Sequence, residues 1–217
     1  MSGSAHKKRL AILISGRGSN MRALLDAVYN PLAPVPVTTA EVVAVISNRA
    51  DAAGLGIAQQ FGVATINHPS QGVARDVYDA ELHRILTDLR VDLVCLAGFM
   101  RILSEKLVLD WAGKMVNIHP SLLPNYKGLD THARVLANGG VEHGCTTHFV
   151  TPGMDEGPII LQAACPVLPG DTPDTLGGRV LALEHQIYPE TVQLFCQDRL
   201  RIKNGRVEIL DLPAVKN

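Results

Sequence analysis

The sequence predicts an α/β fold in which a mostly parallel, twisted sheet is flanked by helices. Hydrophobic residues make up 47% of the 217 residues but aromatic residues only 4%. The apolar content therefore comes from Val, Leu, Ile and Ala, which suit strands that are buried on both faces. Short apolar runs also alternate with segments of helical periodicity, which indicates right-handed βαβ units.

The first half of the chain contains four predicted strands with helices between them. The apolar runs that predict strands cover 9–15, 41–47, 63–66 and 92–97. Segments with helical periodicity cover 19–29, 52–61 and 74–89. In the third helix, one face is expected to carry Val77, Leu82, Ile85, Leu86 and Leu89. This alternation indicates a Rossmann-like, nucleotide-binding half that spans residues 9–110.

The second half, residues 111–209, is expected to continue the same sheet. A short helix covers 104–111, and the predicted strands cover 114–119, 145–150 and 159–167. A long helix begins near Pro173, because proline suits the first helical position, and runs toward Asp198. Pro189 is expected to kink this helix.

Composition limits the class of protein and its partners. No linker or repeat interrupts the pattern, so we expect one domain over 9–209 after a flexible lead-in of residues 1–8. The net charge of −1, without a long basic run, argues against a nucleic-acid partner.

The four cysteines lie far apart without a C-x-x-C motif, which favours cytoplasmic thiols over disulfides or a zinc site. No apolar window approaches the ~18 residues of a membrane span. We expect a cytoplasmic protein with small-molecule partners, either a monomer or a homodimer.

A glycine-containing loop, 15–20, joins the first strand to the first helix. Gly16 and Gly18 allow a sharp turn that exposes backbone N–H groups, and the helix N-terminus adds partial positive charge. These properties suit a phosphate monoester. A dinucleotide fingerprint would need glycine at Met21, and a Walker A loop would need Gly-Lys-Ser or Gly-Lys-Thr. In the alternative interpretation, Ser19 simply caps the helix.

A polar pair lies near the end of the predicted strand 114–119. Residues two apart on a strand share a face, so Asn117 and His119 place an amide donor beside a titratable imidazole. The pair could hold an oxyanion, or it could satisfy only local hydrogen bonds. The loop 151–158 holds two adjacent acids, and it either places a carboxylate in the site or forms an ordinary solvated turn.

A metal site is a further possibility that the sequence disfavours. Four potential ligands fall within seventeen residues: His132, His143, Cys145 and His148. On a strand, His143 and Cys145 would share one face and His148 would point to the other. Neither an H-E-x-x-H nor a C-x-x-C anchor is present, so no metal is expected. A G-x-S-x-G elbow is also missing, which removes the support for a hydrolase serine.

Five segments, taken in order, resemble the glycinamide ribonucleotide formyltransferase family. The likeness runs over about 9–206 and rests on ISGRGSN at 14–20, LAGFMRIL at 96–103, NIHPSLLP at 117–124, DEGPI at 155–159 and EHQIYP at 184–189. Each motif is weak alone, but five in the same order are specific. The implied fold joins the Rossmann-like half to a catalytic and folate-binding half in one sheet.

The resemblance implies two ligand sites. It assigns the ribonucleotide to Gly18, Ser19, Asn20 and Glu184. It assigns the folate to Arg75, Met100, Arg101, Ile102, Leu103, Asn117, Thr151, Pro152, Gly153, Met154 and Asp155. Leu181 stands where some relatives carry a polar residue that helps to bind the ribonucleotide, so this contact is not expected here.

The reaction implied by the resemblance moves a formyl group from 10-formyltetrahydrofolate, a co-substrate, to the amine of glycinamide ribonucleotide. Asn117 and protonated His119 would stabilise the charge that develops on the formyl oxygen in the transition state. Asp155 would favour the imidazolium form of His119 and help to move a proton, through water, from the amine to the folate nitrogen. No ATP, metal ion or covalent intermediate is required.

Two other functions stay open. A 10-formyltetrahydrofolate hydrolase resembles this family and would use water as the acceptor, but it carries an N-terminal regulatory domain for which a first strand at Arg9 is expected to leave no room. A non-catalytic nucleotide-binding module would need only the loop at 18–20 and not Asn117, His119 and Asp155. Acceptor-dependent turnover separates the three functions.

Overall fold

The computed structural model describes residues 7–211. The strands are β1 (Lys8–Ile14), β2 (Ala40–Ser47), β3 (Thr65–Asn67), β4 (Leu93–Leu96), β5 (Met115–His119), β6 (Glu142–Phe149), β7 (Ile159–Pro166), β8 (Leu200–Lys203) and β9 (Arg206–Ile209). The helices are α1 (Ser19–Tyr29), α2 (Gly54–Gln60), α3 (Arg75–Asp88), α4 (Glu105–Asp110), α5 (Thr131–Ala137) and α6 (Pro173–Cys196).

Seven strands form the main sheet, in the order β3-β2-β1-β4-β5-β6-β7. Each pair of neighbouring strands from β3 to β5 is parallel. β6 is antiparallel to β5, and β7 is antiparallel to β6. The sheet is thus mostly parallel and flanked by helices, as the sequence predicts. Because β2 and β4 lie on opposite sides of β1, the chain reverses its direction of winding there, and ligands bind at the carboxyl ends of strands at such a point.

The central strands β1 and β4 are buried on both faces. Along β1, Leu10, Ile12 and Ile14 pack with residues of α1 and α6, and Ala11 and Leu13 pack on the opposite face with residues of α3 and α4. All five side chains have no exposed surface. This arrangement explains the continuous apolar run from Leu10 to Ile14, because helices cover both faces of the strand there.

Two predictions from the sequence need correction. Val77 does not join the buried face of α3, since it is 60% exposed and the fully buried positions are Tyr78, Leu82 and Leu86. Lys8 belongs to β1 and not to the predicted lead-in. Residues 1–6 of that lead-in lie outside the described residues.

The sequence interpretation missed α5 and the small β8–β9 sheet, while the start of α6 is confirmed. Thr172 caps α6 in a capping box with Thr175, and Pro173 is the first helical residue. Pro189 is buried inside α6. The kink expected there stays a prediction. Over residues 7–211, no helix combines the length and apolar character that a membrane span requires.

Candidate active site

The β1–α1 loop places Gly18 at the N-terminus of α1. Gly18 is the N-cap, with a left-handed φ of 76°, and Ser19 is already the first helical residue. Within the described part of the chain no side chain caps α1, so the interpretation of Ser19 as a cap is wrong. A Cβ on Gly18 would lie 2.9 Å from the Cα of Gly54. Glycine is therefore required both for the backbone conformation and for the close approach of α1 to α2.

Asn20 and Glu184 meet beside this loop. Asn20 Nδ2 donates a hydrogen bond of 2.7 Å to Glu184 Oε2, which joins the first turn of α1 to α6. Glu184 is only 6% exposed. Burial raises the pKa of this carboxyl, and the hydrogen bond from Asn20 only partly opposes the shift. Asn20 Oδ1 is also buried and accepts no hydrogen bond from residues 7–211. The two side chains thus offer acceptor atoms to a ligand with hydroxyl groups.

Four polar side chains converge at the end of β5. His119 Nδ1 lies 3.5 Å from Asp155 Oδ2, and His148 Nε2 lies 3.7 Å from Asp155 Oδ1. Asn117 Nδ2 lies 3.2 Å from His148 Nε2. Asn117, His119 and Asp155 are brought together as the sequence predicts, and His148 is an additional member. It arrives because the antiparallel register pairs Asn117 with His148, and directly opposed residues share a face.

Hydrogen bonds to backbone carbonyls determine which imidazole nitrogens carry protons. His119 Nε2 lies 3.0 Å from the carbonyl of Tyr126, and His148 Nδ1 lies 2.9 Å from that of Phe149. A carbonyl only accepts, so both of these nitrogens are protonated. In the neutral rings, His119 Nδ1 and His148 Nε2 are then unprotonated, and both face Asp155. The cluster is consequently arranged to accept one proton.

Burial and charge act in opposite directions on this cluster. Burial lowers the pKa of His119 below 6.5, although the Tyr126 carbonyl and Asp155 both raise it. Burial raises the pKa of Asp155, but its contact with His148 and the hydrogen bond from the Gly128 N–H hold it below its ordinary value. Asp155 is thus an anion beside a neutral His119 in the free protein at neutral pH.

Backbone contacts fix Asp155 in place. Its carboxylate accepts a 2.8 Å hydrogen bond from Gly128 N–H, and its φ of 53° is left-handed. Lys127 and Glu156 form an ion pair of 2.8 Å between the same two loops. A Cβ on Gly157 would lie 1.7 Å from the carbonyl oxygen of Phe149, so only glycine allows the β6–β7 loop to return so close to β6.

The segment 100–103 presents apolar side chains at the same edge of the sheet. Met100 is 70% exposed and Ile102 is 59% exposed. Arg101 lies over the ring of Tyr78, with its guanidinium carbon 4.3 Å from the ring centroid. Leu103 packs against the core on the α3 side of the sheet.

The remaining residues assigned to the folate lie on neighbouring loops. Arg75 is the exposed first residue of α3. Pro152 and Met154 are exposed, and Thr151 and Gly153 are half-buried. Val150, which precedes them, packs against the same side of the core as Leu103. A residue in or directly before each of the segments 100–103 and 151–155 thus packs on the α3 side of the sheet.

The histidines that the sequence grouped together lie at two separate places in the fold. His132 Nδ1 lies 3.0 Å from His143 Nε2, whereas His148 lies in the Asn117–Asp155 cluster. Cys145 is a buried free thiol of the core. Within residues 7–211, no group of three or more metal-ligating side chains has an arrangement that could hold a metal ion. His148 was missed because its place depends on strand register.

Comparison with known proteins agrees with this geometry. The formyl transferase family matches residues 8–192. The phosphoribosylglycinamide formyltransferase of Escherichia coli (strain K12) is 46% identical over 194 residues, which cover 89% of each chain. The trifunctional purine biosynthetic protein adenosine-3 of Bos taurus is 47% identical over 93% of this chain, which spans only 20% of that protein. The crystal structure of glycinamide ribonucleotide transformylase 1 from Symbiobacterium toebii has 45% identity, covers 97% of this chain and 98% of its own, and gives a TM-score of 0.91. The chain therefore belongs to the formyl transferase family, and within it to the phosphoribosylglycinamide formyltransferases.

Proposed function

We propose that this protein transfers the formyl group of 10-formyltetrahydrofolate to the amine of glycinamide ribonucleotide, in purine synthesis. The products are formylglycinamide ribonucleotide and tetrahydrofolate. The observation that carries the proposal is the convergence of Asn117, His119 and Asp155 at the end of β5, which lies beside β4 and the segment 100–103 that follows it. The relative in Escherichia coli, which is matched over 89% of its length, carries the same activity in its name.

The ribonucleotide is assigned to the β1–α1 loop and α6. Its phosphate binds the N–H groups of Gly18, Ser19 and Asn20, because the uncapped N-terminus of α1 has donors and partial positive charge. Glu184 and the unpaired Oδ1 of Asn20 accept from hydroxyl groups of the same ligand. This places the glycinamide amine toward β5.

The folate is assigned to the loops that follow β4 and β6. The exposed side chains of Met100 and Ile102 suit the flat apolar faces of a pterin ring. Arg75 is the first residue of α3, and Asp155 of the 151–155 loop lies 3.5 Å from His119 at the end of β5. The formyl group then lies beside Asn117 and Asp155, which both ligands can reach.

The chemistry requires one proton to leave the amine and one to reach the folate nitrogen. When the amine attacks the formyl carbon, negative charge develops on the formyl oxygen, and Asn117 has a second Nδ2 hydrogen available for it. The unprotonated nitrogens of His119 and His148 face Asp155, so the cluster can hold the proton in transit. A proton on His119 also supplies a second donor to the oxygen. The step needs neither ATP nor a metal ion.

An acceptor-dependence assay tests the function. Purified protein is mixed with 10-formyltetrahydrofolate, with and without glycinamide ribonucleotide, and both tetrahydrofolate and the formylated ribonucleotide are quantified. The proposal requires that both products form in equal amounts and only with the acceptor. Tetrahydrofolate formed without the acceptor would indicate a hydrolase, and no turnover would indicate a binding module. The Asp155→Asn variant serves as the inactive control. The proposal further assigns the protein to the cytoplasm, with small molecules as its partners.

A further inference from the structure

A chain of buried side-chain hydrogen bonds connects four loops at the carboxyl edge of the sheet. Ser15 Oγ donates to Asn48 Oδ1 at 2.6 Å, and the Met100 N–H donates to Ser15 Oγ at 2.7 Å. Asn48 Nδ2 donates to Ser70 Oγ at 3.2 Å, and the Ser70 N–H donates to the Asn48 carbonyl at 3.0 Å. This chain of hydrogen bonds therefore runs from Ser70 through Asn48 and Ser15 to Met100.

The donors and acceptors of this chain allow only one direction. The Met100 N–H can only donate, so Ser15 Oγ must accept from it and direct its own hydrogen to Asn48 Oδ1. The amide of Asn48 is then oriented with Nδ2 toward Ser70. Ser15 is 6% exposed and Asn48 is 7% exposed. Removal of either side chain leaves buried polar groups without partners.

Ser15 forms two hydrogen bonds with the segment that follows β4. Its N–H donates to the Gly98 carbonyl at 3.1 Å, and its hydroxyl accepts from Met100. The backbone of segment 100–103 is irregular, and the Met100 side chain is largely exposed. The position of Met100 thus depends strongly on a side chain that directly precedes the Gly16–Asn20 loop.

We propose that Ser15, oriented by Asn48, is a positioning residue that holds the 100–103 segment at a fixed place relative to the β1–α1 loop. This inference rests on the proposed function in assigning segment 100–103 to the folate and the β1–α1 loop to the ribonucleotide. Ser15 is not expected to contact the folate or the ribonucleotide. It sets the geometry in which the formyl carbon meets the amine, and small displacements of reacting groups lower reaction rates.

The folate affinity of Ser15→Ala tests this role against a matched control. Ser47 is a fully buried serine at the end of a neighbouring strand, but within residues 7–211 its hydroxyl forms hydrogen bonds only with the backbone of Arg49 in its own loop. We expect Ser15→Ala to weaken tetrahydrofolate binding by about tenfold, the effect of one lost buried hydrogen bond. Ribonucleotide affinity should stay near that of the wild type, and Ser47→Ala should leave both affinities unchanged. Ser15→Thr keeps the hydroxyl and should restore folate binding.

Amide hydrogen exchange tests the positioning without reference to any ligand. In Ser15→Ala the Met100 N–H should exchange about tenfold faster or more, and in Ser47→Ala it should not. Equal folate affinity and equal Met100 exchange in the two alanine variants would overturn the inference. A wild-type protein that binds no folate would instead overturn the proposed function, and the exchange measurement would still decide the role of Ser15. If Ser15→Ala does not fold, Asn48→Ala tests the same chain of hydrogen bonds. Loss of the Asn48 amide frees the Ser15 hydroxyl to rotate away from Met100.

Discussion

At the scale of single residues, Asp155 lies between two imidazole nitrogens that are unprotonated when the rings are neutral. Carbonyls of Tyr126 and Phe149 hold the other nitrogen of each ring in its protonated form. An added proton therefore has two positions in the cluster, and both are adjacent to the same carboxylate. This arrangement suits a reaction in which the enzyme receives a proton from an amine and releases it to a leaving nitrogen.

The variants His119→Ala and Asn117→Ala should each lower turnover by about 100- to 1,000-fold, because both side chains act on charge that develops in the transition state. Substrate affinities should change much less. Steady-state kinetics with separate binding measurements check this. His83→Ala is the matched control, since His83 lies on α3, away from the cluster, and should keep normal turnover. Near-normal turnover of either site variant would remove that residue from the mechanism.

The Asp155→Asn variant should lose most activity and should lower the pKa of His119 further. Burial already lowers this pKa below 6.5, and the Asp155 charge is one of the interactions that raise it. A neutral amide removes this support, so His119 becomes protonated only at lower pH. An NMR titration of the imidazole signals measures the shift. Asp174→Asn, at an exposed acid in the first turn of α6, should leave the titration unchanged. An unchanged midpoint in Asp155→Asn would exclude the coupling.

At the scale of elements, α6 carries Glu184 of the proposed ribonucleotide site, and the burial of this carboxyl lowers the stability of the fold. It begins with a capping box at Thr172 and continues to Cys196, so its position is well determined. The helix places the Glu184 carboxyl in a buried environment, where its only side-chain partner within the described residues is Asn20. A buried carboxylate with a single neutral donor is unfavourable unless a ligand completes its hydrogen bonds.

The Glu184→Gln variant should be more stable than the wild type at neutral pH and should bind the ribonucleotide more weakly. The folded protein raises the pKa of Glu184, so it binds the proton more tightly than the unfolded chain does. The free energy of unfolding then falls as pH rises through the raised pKa, and the variant escapes this loss. We expect the Tm to rise by about 2 °C or more at neutral pH, and the gain to disappear below the ordinary pKa of glutamate.

Thermal unfolding of both proteins over a range of pH measures the difference. Glu190→Gln is the control, because Glu190 lies on the same helix but is exposed. A pH-independent difference between Glu184→Gln and the wild type would show that the charge of Glu184 is not the cause.

At the scale of the whole molecule, the site and the C-terminal hairpin are separate. The β8–β9 pair forms its own two-stranded sheet, and Leu200 and Val207 pack against the core on the α6 side. Neither strand contributes a residue to the Asn117–Asp155 cluster. The family match also ends at residue 192, before the hairpin begins.

A chain that ends at Asp198 should keep turnover close to that of the full chain and should have a lower Tm. The truncation removes the apolar contacts of Leu200 and Val207 and the hydrogen bonds between Arg199 and Leu210, but it leaves every proposed site residue in place. Turnover and thermal unfolding are measured on both chains. A large loss of turnover in a truncated chain that is still folded would place the hairpin in the function.

The sequence alone determined the features that depend on local patterns. Apolar runs and helical periodicity located the main strands and helices within a few residues, and α1 begins and ends at the predicted residues. The motifs identified Asn117, His119 and Asp155 as candidates. Short elements without strong periodicity, such as α5 and the hairpin, were missed because seven or four residues carry little local signal.

The tertiary structure alone decided what depends on contacts between distant segments. His148 enters the site through the register of β5 and β6, and Ser15 reaches Met100 across 85 positions of sequence. Burial lowers the pKa of His119, and Gly18 is fixed as glycine by its approach to Gly54. Hydrogen bonds, desolvation and steric contact act over a few ångströms in space, so their effects appear only when the folded chain brings these residues together.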